Sequence, residues 1–228
     1  MTGMETSMVK AVIFDLDGTL ADTLDDLGCA MNGMLRHYGW PERSREELVQ
    51  FINRGARIFV ARSMPEGSYK DISDDIVTEA LGIYSDCYSK CFNDKTHPFD
   101  GIPEALAALS SAGIGLGILS NKQDKFVKLI AGKILPNTFG VVRGQGEYPE
   151  KPSPEAALAT AAELGALPEE CVFVGDSDID MKTAVNAGMF PLGVSWGYRS
   201  PDVLREAGAC FVAENPGKLA EYIIEMQN

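Results

Sequence analysis

The chain has 228 residues, 45% hydrophobic and 23% charged, which suits a globular protein with one large α/β domain or a core carrying a smaller inserted one. A formal net charge of −13 argues against nucleic acid and anionic membranes as partners, since both are held by clustered Lys and Arg, and it requires an anionic substrate to be captured by a local positive site. No apolar run approaches the ~18 residues of a membrane span, the opening MTGMETSM has no signal-peptide core, and Cys29, Cys87, Cys91, Cys171 and Cys210 form no CxxC pair, so we expect a cytoplasmic chain with reduced, mostly buried thiols.

In chain order, Val9, Ala11, Val12, Ile13 and Phe14 form a short apolar run that ends in Asp15 and Asp17, followed by Gly18, Thr19 and a third carboxylate, Asp22. Such a run suits a strand buried on both faces of a parallel sheet. Leu24, Leu27, Met31, Leu35 and Tyr38 recur at helical spacing up to Gly39 and Pro41. Ser44 with Glu47 resembles a capping box, Asn53-Arg54-Gly55 interrupts that second helix, and a third runs to Met64 before Pro65. Ile72, Ile76, Ala80, Tyr84, Cys87 and Cys91 mark a longer amphipathic helix. Cys87 and Cys91 share its face, but with no further Cys or His at ligand spacing they read as core residues rather than a metal pair. No strand signal occurs over 22–96.

From Phe99 the pattern alternates. A helix spans Pro103 to Ala112, a strand Ile114 to Leu119 ends in Ser120-Asn121, and a helix runs from Gln123 to Ile134. A short strand at Phe139–Val142 precedes an Ala-rich helix, Ser153–Leu164, with Pro154 tolerated in its first turn. Val172–Val174 is a strand ending in GDSDID, followed by a helix to Gly188, strands at Pro191–Val194 and Cys210–Val212, and helices near 201–207 and 216–226. Strand–helix alternation of this kind implies right-handed βαβ units. The expected fold class is α/β: a doubly wound, Rossmann-like parallel sheet built from 1–21 and 97–228, with 22–96 inserted as an all-helical cap.

Chemistry gathers at the strand ends. The first supplies Asp15 and Asp17, the second Ser120 and Asn121, and a third Asp176, Asp178 and Asp180, while Lys151 opens the Ala-rich helix from the loop EKPSP. If the strands are parallel neighbours, these groups converge on one sheet edge, where open α/β sheets bind ligands. Carboxylates beside a core are costly to keep charged and suggest a cation, a shared proton or a reaction. With a hydroxyl and a lysine they describe a site for phosphate and a hard divalent cation such as Mg²⁺. Alone, each residue has an ordinary reading as a cap, turn former or surface charge. Asp22 and Asp178 keep that reading, and His37 and His97 read as structural. Trp196 and Tyr198 fit either a pocket mouth or loop packing.

DLDGTLADT, Ser120 after a strand, Lys151-Pro152 and GDSDID, in this order, resemble the haloacid-dehalogenase-like superfamily over essentially the whole chain, and the tail GVSWGYRSPDVLREAGACFV resembles its phosphoglycolate phosphatase branch. The resemblance implies Asp15 as the nucleophile forming an aspartyl-phosphate and Asp17 as the acid and then the base. It implies Mg²⁺ held by the Asp15 carboxylate, the Asp17 backbone carbonyl and Asp176, with Asp180 supporting the metal shell or orienting Lys151. Ser120, with Asn121 beside it, would bind the phosphoryl, Lys151 would balance its charge, and Arg54 and Arg57 in the cap are candidates for a substrate carboxylate. Asp17 argues against a dehalogenase, and the absence of lysine between Lys10 and Lys70 against a cap Schiff base. The expected activity is Mg²⁺-dependent hydrolysis of a small phosphomonoester, 2-phosphoglycolate foremost. A sugar phosphomutase, a pyrophosphatase and a non-catalytic phosphate-binding protein stay open as alternatives.

Overall fold

A computed structural model describes residues 8–227, so the opening stretch, read as lacking a signal-peptide core, lies outside the described residues except for Met8. The first elements are β1 (Ala11–Phe14), β2 (Ala21–Asp22), α1 (Leu24–His37), α2 (Arg45–Phe51), α3 (Gly55–Ser63), α4 (Asp75–Cys91) and β3 (His97–Pro98). There follow α5 (Ile102–Ser111), β4 (Gly115–Gln123), α6 (Asp124–Ile134), β5 (Val141–Gln145), α7 (Glu155–Glu163) and β6 (Cys171–Gly175). The chain closes with α8 (Asp178–Ala187), β7 (Phe190–Val194), α9 (Pro201–Glu206), β8 (Phe211–Ala213) and α10 (Pro216–Glu225). It divides into two compact units, one formed by Met1–Leu20 with Pro98–Asn228, the other by Ala21–His97. No helix among the described residues is long and apolar enough to cross a membrane.

The first unit is built on a parallel sheet in the order β5-β4-β1-β6-β7-β8. β1 is central, and all four of its residues are fully buried, as expected of an apolar run covered on both faces. Ile13, Leu119 and Phe173 meet Ala156, Ala157 and Ala161 of α7 in one core cluster, so the Ala-rich sequence lets that helix approach the strands closely. The α/β doubly wound architecture is the one expected.

Several boundaries differ from the periodic reading. β4 continues through Ser120 and Asn121 to Gln123, with a register shift against β5 between Leu119 and Gln123. β5 starts at Val141, and Phe139 instead sets its ring edge-on against Phe14, centroids 6.5 Å apart. α4 begins at Asp75, leaving Ile72 outside it and 37% exposed. Local side-chain bonds hold that segment in turns instead: Asp74 Oδ2 accepts from Lys70 N at 2.7 Å and Asp71 Oδ1 from Ser73 N at 2.9 Å. The thiols are free, but only Cys91 and Cys171 are buried; Cys29 and Cys210 are exposed, because apolar spacing does not report which helix or strand face meets solvent.

In the second unit, β2 and β3 pair as a two-stranded ribbon too short to leave a periodic signal. The N-cap of α1 is Thr23, and Asp22, read as the cap, lies one residue before it, where its Oδ1 accepts from Leu24 N, the first N–H of the helix, at 3.1 Å. The Ser44–Glu47 capping box of α2 has both halves in place. Asp26, in the first turn of α1 and 1% exposed, accepts from Lys95 N, Thr96 N and Thr96 Oγ1. One buried carboxylate thus ties the first helix of this unit to its last residues across about seventy positions of sequence. Asp26→Ala leaves those buried donors unanswered and should cost about 2–4 kcal/mol, read as a lower urea midpoint at unchanged slope; Asp26→Asn, which keeps an acceptor, should cost less.

Candidate active site

β1 lies between β4 and β6 at the point where the strand order reverses, so the carboxyl ends of these three strands adjoin. Phe14 is level with Ile118 and with Val174, which brings Asp15, Ser120 and Asp176 to one edge. Asp15 N extends the ladder by donating to Val174 O at 2.9 Å. Into this edge reaches Lys151, whose Nζ is 3.0 Å from Asp15 Oδ1 and 2.6 Å from Asp180 Oδ1. All three side chains are buried, Lys151 at 3% exposure and Asp180 at 0%.

Asp180 is held by the device that starts α8. Ser177 is the helix N-cap and Asp180 its third residue: Asp180 N donates to Ser177 Oγ, and Asp180 Oδ2 accepts from Ser177 N at 3.1 Å and Ser177 Oγ at 2.6 Å. That leaves Oδ1 to Lys151. Asn121 departs from its expected role as a phosphate contact. Its Nδ2 donates to Lys151 O at 3.0 Å and its Oδ1 accepts from Lys151 N at 2.8 Å, so both amide atoms clasp the Lys151 backbone. Asn121 lies in the stretch of β4 over which the register against β5 shifts.

Asp176, at 0% exposure, accepts from Thr19 Oγ1 at 3.3 Å and from Tyr198 N at 2.8 Å. Trp196 Nε1 donates to Thr19 O at 3.0 Å, so the loop after β7 braces the loop after β1. Trp196 and Tyr198 are therefore supports of the site loops. Gly18 has φ +83°, and a Cβ there would stand 2.5 Å from Asp176 Oδ2 and 2.7 Å from the Tyr198 ring. Its place next to Asp17 is thus required by both backbone and space. Asp178 was read as a cap or turn former, but Ser177 is the N-cap of α8; Asp178 is the first helical residue and pairs with Lys182 at 2.7 Å.

Asp17 has a partner that sequence reasoning missed. Lys122 Nζ lies 2.5 Å from Asp17 Oδ1, with the two side chains 7% and 13% exposed. Lys122 N also donates to Ser120 Oγ at 3.3 Å. The available signal was a lysine at the carboxyl end of a strand already expected to border the site; which carboxylate it meets is decided by packing. Of the cap arginines, Arg57 donates to Ile72 O at 2.7 Å and Thr78 Oγ1 at 2.8 Å, so its guanidinium is bound within its own unit. Arg54 is the residue just before α3.

Burial pushes the Asp15 carboxyl up to about 7; Lys151 opposes this, and the Asp180 and Asp17 charges add to it. Burial pulls the Lys151 ammonium down, but the Asp15 and Asp180 carboxylates outweigh it and the net direction is up, so Lys151 stays charged. Asp15, Asp176 and Asp180 each offer an oxygen within 4.8 Å of the others, an acidic cluster able to hold a metal ion. Both Asp180 oxygens already accept from Lys151 and Ser177, which suits the supporting role expected of it.

The family model for haloacid dehalogenase-like hydrolases matches residues 12–194. Phosphoglycolate phosphatase of Pseudomonas putida is 31% identical over 205 residues, covering 87% of this chain and 75% of that protein. The phosphoglycolate phosphatase of Vibrio parahaemolyticus is 28% identical over 219 residues, covering 94% and 96%. Among solved structures, a Lactobacillus delbrueckii subsp. bulgaricus protein assigned as a phosphoglycolate phosphatase superposes with a TM-score of 0.87 at 29% identity, covering 95% of this chain and 99% of that one. A haloacid dehalogenase-like family protein of Streptococcus pneumoniae shares the fold, with a TM-score of 0.83 at 23% identity over 96% and 99% of the two chains. With its sheet edge, its motif order and these likenesses in agreement, the chain belongs to the haloacid dehalogenase-like hydrolase family, in a branch similar to the phosphoglycolate phosphatases.

Proposed function

We propose that this protein is a Mg²⁺-dependent phosphatase of small phosphomonoesters, 2-phosphoglycolate foremost, working through an aspartyl-phosphate on Asp15. The observation that carries this reading is the buried Lys151 ammonium placed against Asp15 and Asp180 at the carboxyl edge of β1, beside Asp176. Four carboxylates there (Asp15, Asp17, Asp176, Asp180) face two ammonium groups (Lys122, Lys151), an imbalance that a divalent cation offsets. Hard oxygen donors suit Mg²⁺, and the Asp15 carboxylate, the Asp176 carboxylate and the Asp17 backbone carbonyl are its proposed holders. When bound, Mg²⁺ would lessen the repulsion between an anionic nucleophile and an anionic phosphate.

The protein's own groups divide the remaining work. Asp15 Oδ1 is tied by Leu16 N at 2.7 Å and by Lys151 at 3.0 Å; among the described residues none donates to Oδ2. A carboxylate anchored by one oxygen presents the other along a set direction, which suits in-line attack at phosphorus. Asp17 passes a proton to the leaving alkoxide and then takes one from the water that cleaves the aspartyl-phosphate. Ser120 Oγ, 4% exposed as a residue, and Lys151 bind the phosphoryl oxygens as charge develops on them. Asn121 keeps Lys151 in place, and Arg54 is the proposed contact for a substrate carboxylate. The partner is a small phosphate ester, and the free thiols suit a reducing, cytoplasmic setting.

With Mg²⁺ present, the purified protein should hydrolyse 2-phosphoglycolate and p-nitrophenyl phosphate. Asp15→Asn should lower turnover by roughly 10⁴-fold or more, and comparable activity in that variant would remove the nucleophile assignment. A pH dependence also follows. Because the folded-state value of Asp15 is raised, its contribution to stability is present below the ordinary carboxylate range near 3.8 and is lost as pH rises through about 7. Mg²⁺ binds the ionised form, so the rise in melting temperature that it produces should be larger at pH 8 than at pH 5.5. Asp15→Asn should flatten that difference.

A further inference from the structure

Lys122 and Asp17 form a nearly buried pair whose role the assignments above leave open. Lys122 lies on the irregular end of β4, two residues after Ser120, and its Nζ meets Asp17 at Oδ1, 2.5 Å away. The side chains are only 7% and 13% exposed, so the contact is shielded from solvent far more than an ordinary surface ion pair. Ser120 Oγ accepts from Lys122 N at 3.3 Å, which joins the backbone of Lys122 to the proposed phosphoryl-binding hydroxyl.

We infer that Lys122 is a positioning residue for Asp17, holding Oδ1 so that the proton Asp17 handles is carried on Oδ2. This rests on the phosphatase reading. An ammonium donor at Oδ1 is compatible with both states of Asp17, because that oxygen accepts a hydrogen bond either as part of the carboxylate or as the carbonyl oxygen of the acid. In the first half-reaction the proton on Oδ2 moves to the ester oxygen as the bond from phosphorus to that oxygen breaks and the bond from phosphorus to Asp15 forms. In the second, Oδ2 takes a proton from water as the water oxygen bonds to phosphorus and the Asp15–phosphorus bond breaks. A side chain free to rotate would present either oxygen at random. One clamped through Oδ1 presents the working oxygen each time, which is the orientation that general acid–base catalysis requires.

Leaving-group dependence tests this. p-Nitrophenolate departs with little need of a proton, whereas the alkoxide of 2-phosphoglycolate needs one, and kcat/KM reports the steps up to phosphorylation of Asp15. With Mg²⁺ present, Lys122→Met should lower kcat/KM for 2-phosphoglycolate by about 10²-fold and that for p-nitrophenyl phosphate by less than about 10-fold. An equal fall for both esters would overturn the proposal, since it would mean that Lys122 acts on the phosphoryl group the esters share. Asp17→Asn with Lys122→Met provides a second test that leaves no buried charge unpaired. If Lys122 acts through Asp17, the double variant matches Asp17→Asn alone on both esters; a further loss on adding Lys122→Met would overturn the proposal even if Lys122→Met alone fails to fold. A wild-type protein inactive on both esters would remove the phosphatase reading itself, a result distinct from either of these.

Discussion

The arrangement at the sheet edge depends on one buried cation. Lys151 sits at 3% exposure between two carboxylates, and each of those ions gives up several kcal/mol of hydration to be there. Their mutual attraction offsets that loss only with close geometry and with the remaining lone pairs satisfied. The protein supplies the close geometry, and satisfies every side-chain oxygen of the two carboxylates except Asp15 Oδ2, by borrowing groups whose local purpose is different: the N-cap of α8 for Asp180, the Leu16 N–H for Asp15 Oδ1, and the Asn121 amide for the Lys151 backbone. Buried ion pairs in general are often no more stabilising than well-packed apolar groups of similar volume. The value of this cluster is positional, since a lysine in this place can neither swing to solvent nor lose its charge.

From that ion the supports extend outward. The loop after β7 holds Asp176 through Tyr198 N and the loop after β1 through Trp196. Gly18 allows the two loops to approach to a distance at which any side chain would strike Asp176 or Tyr198. The acidic residues are therefore fixed from several elements at once, as expected where catalytic geometry must be held to fractions of an ångström. A site tied down in this way does not depend on the charge of the whole molecule. Its two lysines offset part of the charge of the four carboxylates around them, in a chain whose net charge is −13.

The helical unit follows a different logic. Its ends are joined by hydrogen bonds to the buried Asp26, α2 is started by the Ser44 capping box, and Asp22 answers the first N–H of α1. One of its candidate substrate arginines, Arg57, is engaged in holding α3 to the turn region and to α4. A guanidinium on a helix looks the same in sequence whether it faces a ligand or a neighbouring carbonyl, so this distinction was not legible beforehand.

The sequence by itself determined the fold class, the order of the elements and the group of residues at the strand ends. The reason is that strand and helix periods, capping pairs such as Ser44–Glu47 and the glycine after Asp17 are local consequences of backbone geometry. Asp15, Ser120 and Asp176 were legible as a group because a parallel sheet aligns the carboxyl ends of its strands, while Lys151, in the loop before α7, stood out through the order of motifs that resembles the family. Tertiary structure alone decided which groups touch. That Asn121 serves Lys151, that Lys122 meets Asp17, that Asp26 closes its unit and that β4 runs on through an irregular turn of register all depend on contacts between residues from 22 to 105 positions apart. Hydrogen-bonding partners at that range leave no periodic trace, because they are chosen by packing in three dimensions.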